Sequence, residues 1–254
     1  MTEARASAQP HHQASSAHHH RKHSIQTLQF GWFLGHVLTV IGTLLYLLTY
    51  VGFGKRYHKV WYVVALFGIV ESFSILIYQN ITKRGLQPSQ LLKDDNVHYF
   101  FIALVLLWVR PNVLLPLLPF FIYSVFHVLV YVNNYLLPQE NPAITSFIAH
   151  NNVNSVRLGT QIEIFSWFWL LLRVLAWRPK SIIPFIAYTL FLRFRYEKMA
   201  LTRTQVKNIE IKIDQLVNNA NVPAVKNVWI QVKQVIRNAG GVYLVNDYTK
   251  EKTT

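Results

Sequence analysis

Residues 30–53 read FGWFLGHVLTVIGTLLYLLTYVGF, a run with no Lys, Arg, Asp or Glu. As a helix rising about 1.5 Å per residue it extends about 36 Å, longer than the roughly 30 Å hydrocarbon core of a bilayer. A helix of that length with no charged face has no side to offer water, so it is rare in a soluble domain. The chain is therefore read as an all-α integral membrane protein. Composition agrees: 52% of residues are hydrophobic and 14% charged, yet the formal net charge is +14. Apolar segments with a surplus of Lys and Arg suit a membrane protein whose basic flanks meet anionic lipid. There is no Cys, which excludes disulfides, thiolate catalysis and Cys-ligated zinc.

Four hydrophobic regions are expected, at about 30–53, 60–79, 97–132 and 162–194. The turn at 54–59, Gly-Lys-Arg-Tyr-His-Lys, is so short that the first two helices must be antiparallel neighbours. The third and fourth regions are broken, by Arg110-Pro111-Asn112 with Pro116 and Pro119, and by Arg178-Pro179-Lys180 with Pro184. Proline removes a backbone donor and disfavours helix at the residue before it. The third region is thus either one tilted span after an interfacial helix, or a re-entrant hairpin. Residues 133–161 read as a polar connection. Residues 1–24 are polar and contain six of the eleven histidines, His11, His12, His18, His19, His20 and His23. They read as a disordered tail with at most adventitious metal affinity.

The C-terminal region, 195–254, has two amphipathic helix candidates. The first spans about 201–219, with Val206, Ile209, Ile213, Leu216 and Val217 on one face. The second spans about 223–238 and starts on a proline, a favoured first-turn residue. Its apolar face is Val225, Val228, Trp229, Val232, Val235 and Ile236, edged by Lys226, Lys233 and Arg237. Such a helix is expected to lie in the headgroup boundary, with the basic edge snorkelling to phosphates. The ten Lys and Arg residues from Arg195 onward place this tail in the cytosol. Paired hairpins put the N-terminus there too, although Lys55, Arg56 and Lys59 in the first turn oppose that orientation locally.

Ionisable groups in or beside the apolar segments are Glu71, His36, His98, His127, Glu163 and Arg173. Such residues are costly in lipid and are often functional. A transporter or channel using Glu71 and the histidines is therefore the alternative to a packed scaffold in which Glu71 fixes helix contacts. No HExxH, GxSxG or phosphate-cradling glycine loop is present, so neither an enzyme activity nor a cofactor is expected. Gly31 and Gly35 make a GxxxG step suited to close helix approach.

Two blocks carry a family resemblance: DDNVHYFFIAL at 94–104, continued by RPNVLLPLLPFFIYSVFHVLVYV, and EIFSWFW from Glu163, followed by IPFIAYTLFLRFRY. Together with the segment spacing they resemble the transmembrane protein 33 family, the tetra-spanning or pore-membrane proteins of fungi. The resemblance implies an endoplasmic reticulum and nuclear envelope membrane protein. It also implies association with nuclear pore components and reticulon-type proteins, and membrane-binding C-terminal helices. No catalytic residue comes with it, and no specific nucleic-acid partner is expected.

Overall fold

A computed structural model describes residues 11–85, 88–241 and 244, with the side chains of those residues other than 11–26, 83, 84, 88, 89 and 239. The described residues are helical, without strands. The helices are α1 (His11–Tyr50), α2 (His58–Arg84), the single turn α3 (Pro88–Leu91), α4 (Asp95–Val109), α5 (Leu118–Tyr131), α6 (Pro142–Leu175), α7 (Ile182–Lys198), α8 (Ala200–Ala220) and α9 (Pro223–Gly241). Residues 1–10 of the expected N-terminal tail, and the side chains of the rest of it, lie outside what is described.

Local chemistry sets the boundaries. Gly85 ends α2 in the left-handed region, its N–H donating to the Ile81 carbonyl. Asp94 caps α4 by accepting from the Asn96 N–H at 2.8 Å, and Asn141 caps α6 by accepting from the Ala143 N–H at 2.9 Å. Pro116 opens a 3-10 turn that leads into α5, Pro119 sits in the first turn of α5 and Pro142 in that of α6. These prolines therefore start helices, where the missing N–H would have had no partner.

Both broken regions resolve into two helices joined by a turn, α4 and α5 about 110–114 and α6 and α7 about 176–181. In the third region α4 is a short apolar helix and the stretch Leu115–Leu136 is long enough to cross a membrane. The helix of the fourth region begins at Pro142, not at 162: Asn151, Asn152 and Asn154 of the expected polar connection lie on α6, which a capped proline start and an unbroken run of helical residues carry into the apolar stretch.

Four helical stretches are long and apolar enough to cross a membrane: Thr27–Tyr50, Lys55–Thr82, Leu115–Leu136 and Pro142–Leu175. At about 1.5 Å per residue, α4 and α7 span only about 22 and 26 Å. The neighbour relations run α1–α2–α4–α7–α6–α5 and back to α1, so the six helices close into a ring in which α4 and α5, although joined by a short turn, do not pack side by side. Its ends separate cleanly. The turns 51–57, 110–114 and 176–181 lie at one end; the start of the apolar part of α1, the end of α2 at Gly85, the connections 88–94 and 137–141, and the junction to α8 lie at the other.

The first seam depends on small residues. A Cβ on Gly35 of α1 would stand 2.8 Å from the Gly68 carbonyl of α2, and one on Gly42 would stand 2.6 Å from the Ala65 nitrogen. A Cβ on Gly68 would meet Thr39 N at 2.8 Å. The close approach therefore uses Gly35, Gly42, Ala65 and Gly68, with Gly31 only flanking it. Gly68→Leu is expected to force the helices apart and lower the stability of the detergent-purified protein by about 1–3 kcal/mol or more. Thermal unfolding indistinguishable from wild type would contradict this close contact.

Candidate functional site

Tyr99 of α4 sits at the middle of the ring. Its aromatic ring meets Phe73 of α2 at 5.6 Å, Phe120 of α5 at 5.6 Å and Phe191 of α7 at 5.1 Å. Its hydroxyl donates to Oε1 of Glu163 on α6 at 2.6 Å. One residue thus joins five of the six helices. Around it Tyr62, Leu66, Ile102, Leu106, Leu170 and Tyr188 fill the interior.

Glu163 is fully buried. Its second oxygen accepts from Nε of Arg195 at 3.3 Å, and Tyr123 donates to the first at 3.4 Å. Arg195 is itself buried on α7, with its guanidinium 5.2 Å from the centre of the Tyr99 ring. It reaches on to Asp95 at 3.6 Å, and Lys198 meets the same carboxylate at 2.6 Å. The result is a chain of alternating charges, Glu163, Arg195, Asp95 and Lys198, running from the packed interior to a half-exposed carboxylate at the α4 N-terminus. A lone charge in that interior would be prohibitively costly, whereas two opposite charges with saturated hydrogen bonds are tolerated. The chemistry available here is structural: every member already has a protein partner.

The other intramembrane groups fall elsewhere. Glu71 is half-buried on α2 without a described partner. His36 of α1 hydrogen-bonds Ser124 of α5 at 2.9 Å and packs on His127 and Trp32, both rings within 5 Å. His98 contacts the Leu92 carbonyl at 2.8 Å and stacks on Phe194. Arg173 donates to Ser181 and to the Pro111 carbonyl, tying two hairpin turns together. No set of three or more His, Asp or Glu side chains converges as a metal site among the described residues.

On α9 the membrane-surface residues divide into two faces. Val225, Val228, Val232, Val235 and Ile236 are exposed. The other face turns to α8: Trp229 Nε1 donates to Asp214 at 2.6 Å, Lys233 pairs with Asp214 at 2.7 Å and Arg237 with Glu210 at 3.2 Å. Lys226 donates to Asn221. Hydrogen bonds from Lys233 and then Trp229 hold the Asp214 carboxyl below the usual carboxylate range. Because that pKa is depressed, the pairing is present at neutral pH and is lost only as pH falls through the lowered value.

A sequence profile described as transmembrane protein 33/nucleoporin POM33 matches residues 9–240. The chain is 32% identical over 225 residues to tetra-spanning protein 1 of Schizosaccharomyces pombe, covering 79% of this chain and 80% of that protein. It is 29% identical to the pore membrane protein of 33 kDa of Saccharomyces cerevisiae, covering 78% of each. It is 25% identical to the pore and endoplasmic reticulum protein of 33 kDa of the same yeast, covering 80% of this chain and 86% of that one. No solved structure matches.

Removing one member of the buried pair should be worse than removing both. Glu163→Ala is expected to destabilise the purified protein by about 3–5 kcal/mol, since it strands the Arg195 charge. The double change Glu163→Leu with Arg195→Met should recover much of that loss in the same unfolding assay. A Glu163→Ala protein that unfolds like wild type would show that the pair does not hold the bundle.

Proposed function

Since the chain belongs to the transmembrane protein 33/nucleoporin POM33 family, we propose that it is a non-enzymatic, multi-pass membrane protein of the endoplasmic reticulum and nuclear envelope. In this reading it stabilises curved membrane and supports nuclear pore organisation, with both termini in the cytosol. Nuclear pore components and reticulon-type proteins are its proposed partners, together with anionic lipid.

The observation that carries the reading is the uneven height of the ring. The short helices α4 and α7 are neighbours, and each falls several ångströms short of a bilayer core about 30 Å thick. Lipid beside them must thin or tilt, while lipid beside α1, α2 and α6 need not. A body that deforms the bilayer on one side only is suited to a curved surface. The α7 helix leads directly into α8 and α9, so the amphipathic tail emerges beside the thin side. The exposed valines of α9 supply apolar area for the headgroup boundary, with Trp229 at the edge of that face. Lys226, Lys233 and Arg237 supply attraction to anionic lipid. For Lys233 and Arg237, lipid phosphates would compete with Asp214 and Glu210, so docking would loosen α9 from α8.

The aromatic filling around Tyr99 favours this scaffold over a transporter, which needs a polar route at mid-membrane. Fluorescently tagged protein should mark the nuclear rim and curved tubules; a plasma-membrane pattern would contradict the assignment.

The contributions of α9 should be separable. Replacing Lys226, Lys233 and Arg237 by Gln is expected to weaken vesicle binding chiefly on anionic lipid and to reduce its salt dependence. Replacing Val228 and Val232 by Asp is expected to weaken it on every lipid. A peptide covering residues 221–241 should be coil in buffer and helix on anionic vesicles by circular dichroism; coil in both would remove α9 from the mechanism.

A further inference from the structure

The turn end of the ring carries charge of a single sign. Segments 51–60, 107–116 and 173–182 contain Lys55, Arg56, Lys59, Arg110, Arg173, Arg178 and Lys180, and no Asp or Glu. Four of these cations, Lys59, Arg110, Arg173 and Lys180, line one cavity of about 660 Å³ between the start of α2 and the turns of the other two hairpins. Val60 and Val63 of α2 form part of its apolar wall. Neither Lys59 nor Lys180 has a carboxylate partner among the described residues. The Arg110 Nε donates only to the Leu107 carbonyl of its own helix end.

The backbone points to the same place. Five non-glycine residues among those described have a positive φ, and four of them lie in the two turns beside this cavity: Arg110 at 53°, Asn112 at 51°, Trp177 at 50° and Lys180 at 58°. This conformation disfavours a Cβ, and helix ends that adopt it usually have glycine. Here Arg110 occupies the cap position of α4 and Lys180 the turn before α7. Non-glycine residues held in this region mark positions that the surrounding structure over-determines, commonly ligand clamps. Arg173 braces the cavity by joining the Ser181 hydroxyl to the Pro111 carbonyl.

We propose that this cavity binds the headgroup of one anionic glycerophospholipid, with its phosphate among Lys59, Arg110 and Lys180 and the upper acyl chain along Val60 and Val63. Charge complementarity selects an anion. The valines, and a location where the hairpin turns meet the headgroup layer, select a lipid over a free ion. The site lies at the end of the ring opposite the tail helices, so it does not depend on the reading of α9.

Purified full-length protein offered equal amounts of phosphatidylcholine and phosphatidylinositol, and then examined by native mass spectrometry, tests the site. Wild type should retain phosphatidylinositol in preference. Lys59→Gln with Lys180→Asn, the asparagine chosen to tolerate the left-handed backbone, should weaken that retention roughly thirtyfold and leave phosphatidylcholine unaffected. The Gln variant of Lys226, Lys233 and Arg237 should keep the preference. No preference in wild type, or a preference lost with the α9 cations but not with the cavity lysines, overturns the proposal. Retention of inorganic phosphate by the wild type with no phosphatidylinositol retained would overturn it in favour of a free anion. If the double variant does not fold, Lys59→Gln alone, at an exposed position in the first turn of α2, should weaken retention about fivefold, and an unchanged preference in it overturns the proposal.

Discussion

A carboxylate with no access to water needs a cation, and meeting that need for Glu163 organises the ring. Arg195 supplies the charge from α7, Tyr99 supplies a hydroxyl from α4 and Tyr123 another from α5. None of these contacts is local in sequence: Glu163 and Arg195 are 32 residues apart and Tyr99 is 64 from Glu163. In lipid, helices gain little from apolar contact alone, because the chains around them are as apolar as their own side chains. Directional polar contacts with expensive failure states are what make one arrangement preferable to its neighbours. Arg195 continues outward to Asp95 and Lys198, so the buried charge is linked to the boundary where α7 passes into the tail helices.

The remaining seams use different means. Between α1 and α2, absent side chains at Gly35, Gly42 and Gly68 let backbones touch. Between α1 and α5, Phe33 stacks on Tyr131 at 4.3 Å and His36 bonds Ser124. Between α4 and α7, His98 lies flat on Phe194. The ring is therefore filled rather than open, and its irregularity is on the outside. Two short helices stand side by side, and a basic cavity is set into one end.

Much of this was legible in the chain. The uncharged run at 30–53 fixed the membrane class, and the short turn at 54–59 fixed the first hairpin. Pro223 marked the start of α9. Harder to read were the broken regions, because a proline that interrupts a helix and one that begins the next look alike until the cap before it is identified, as at Asn141. By sequence Arg195 is the first cation of a basic tail, yet it is buried. Its only signal was the presence of Glu163, a carboxylate in an apolar run that had to find a partner. Glu71 looked the more central of the two, but a periodic pattern cannot tell which face of α2 turns inward. The blocks that carried the family resemblance contain Asp95, Tyr99, Glu163 and Arg195, so the resemblance lay on the residues that close the ring. The pairing of Lys233 and Arg237 with α8 was not legible, since it depends on how two amphipathic helices fold back on one another.

Closure of the six helices into a ring is the claim on which the rest depends, and the absence of cysteine from the chain makes it directly measurable. Phe33→Cys and Tyr131→Cys, placed in one molecule with a protease site inserted between α3 and α4, report on the α1–α5 seam. If the ring is closed, a short bis-maleimide applied to membranes will keep the two halves in one band after cleavage, and either single variant will release them. Halves that separate although both cysteines have reacted would mean that α1 and α5 are not neighbours and that the helices do not form a ring.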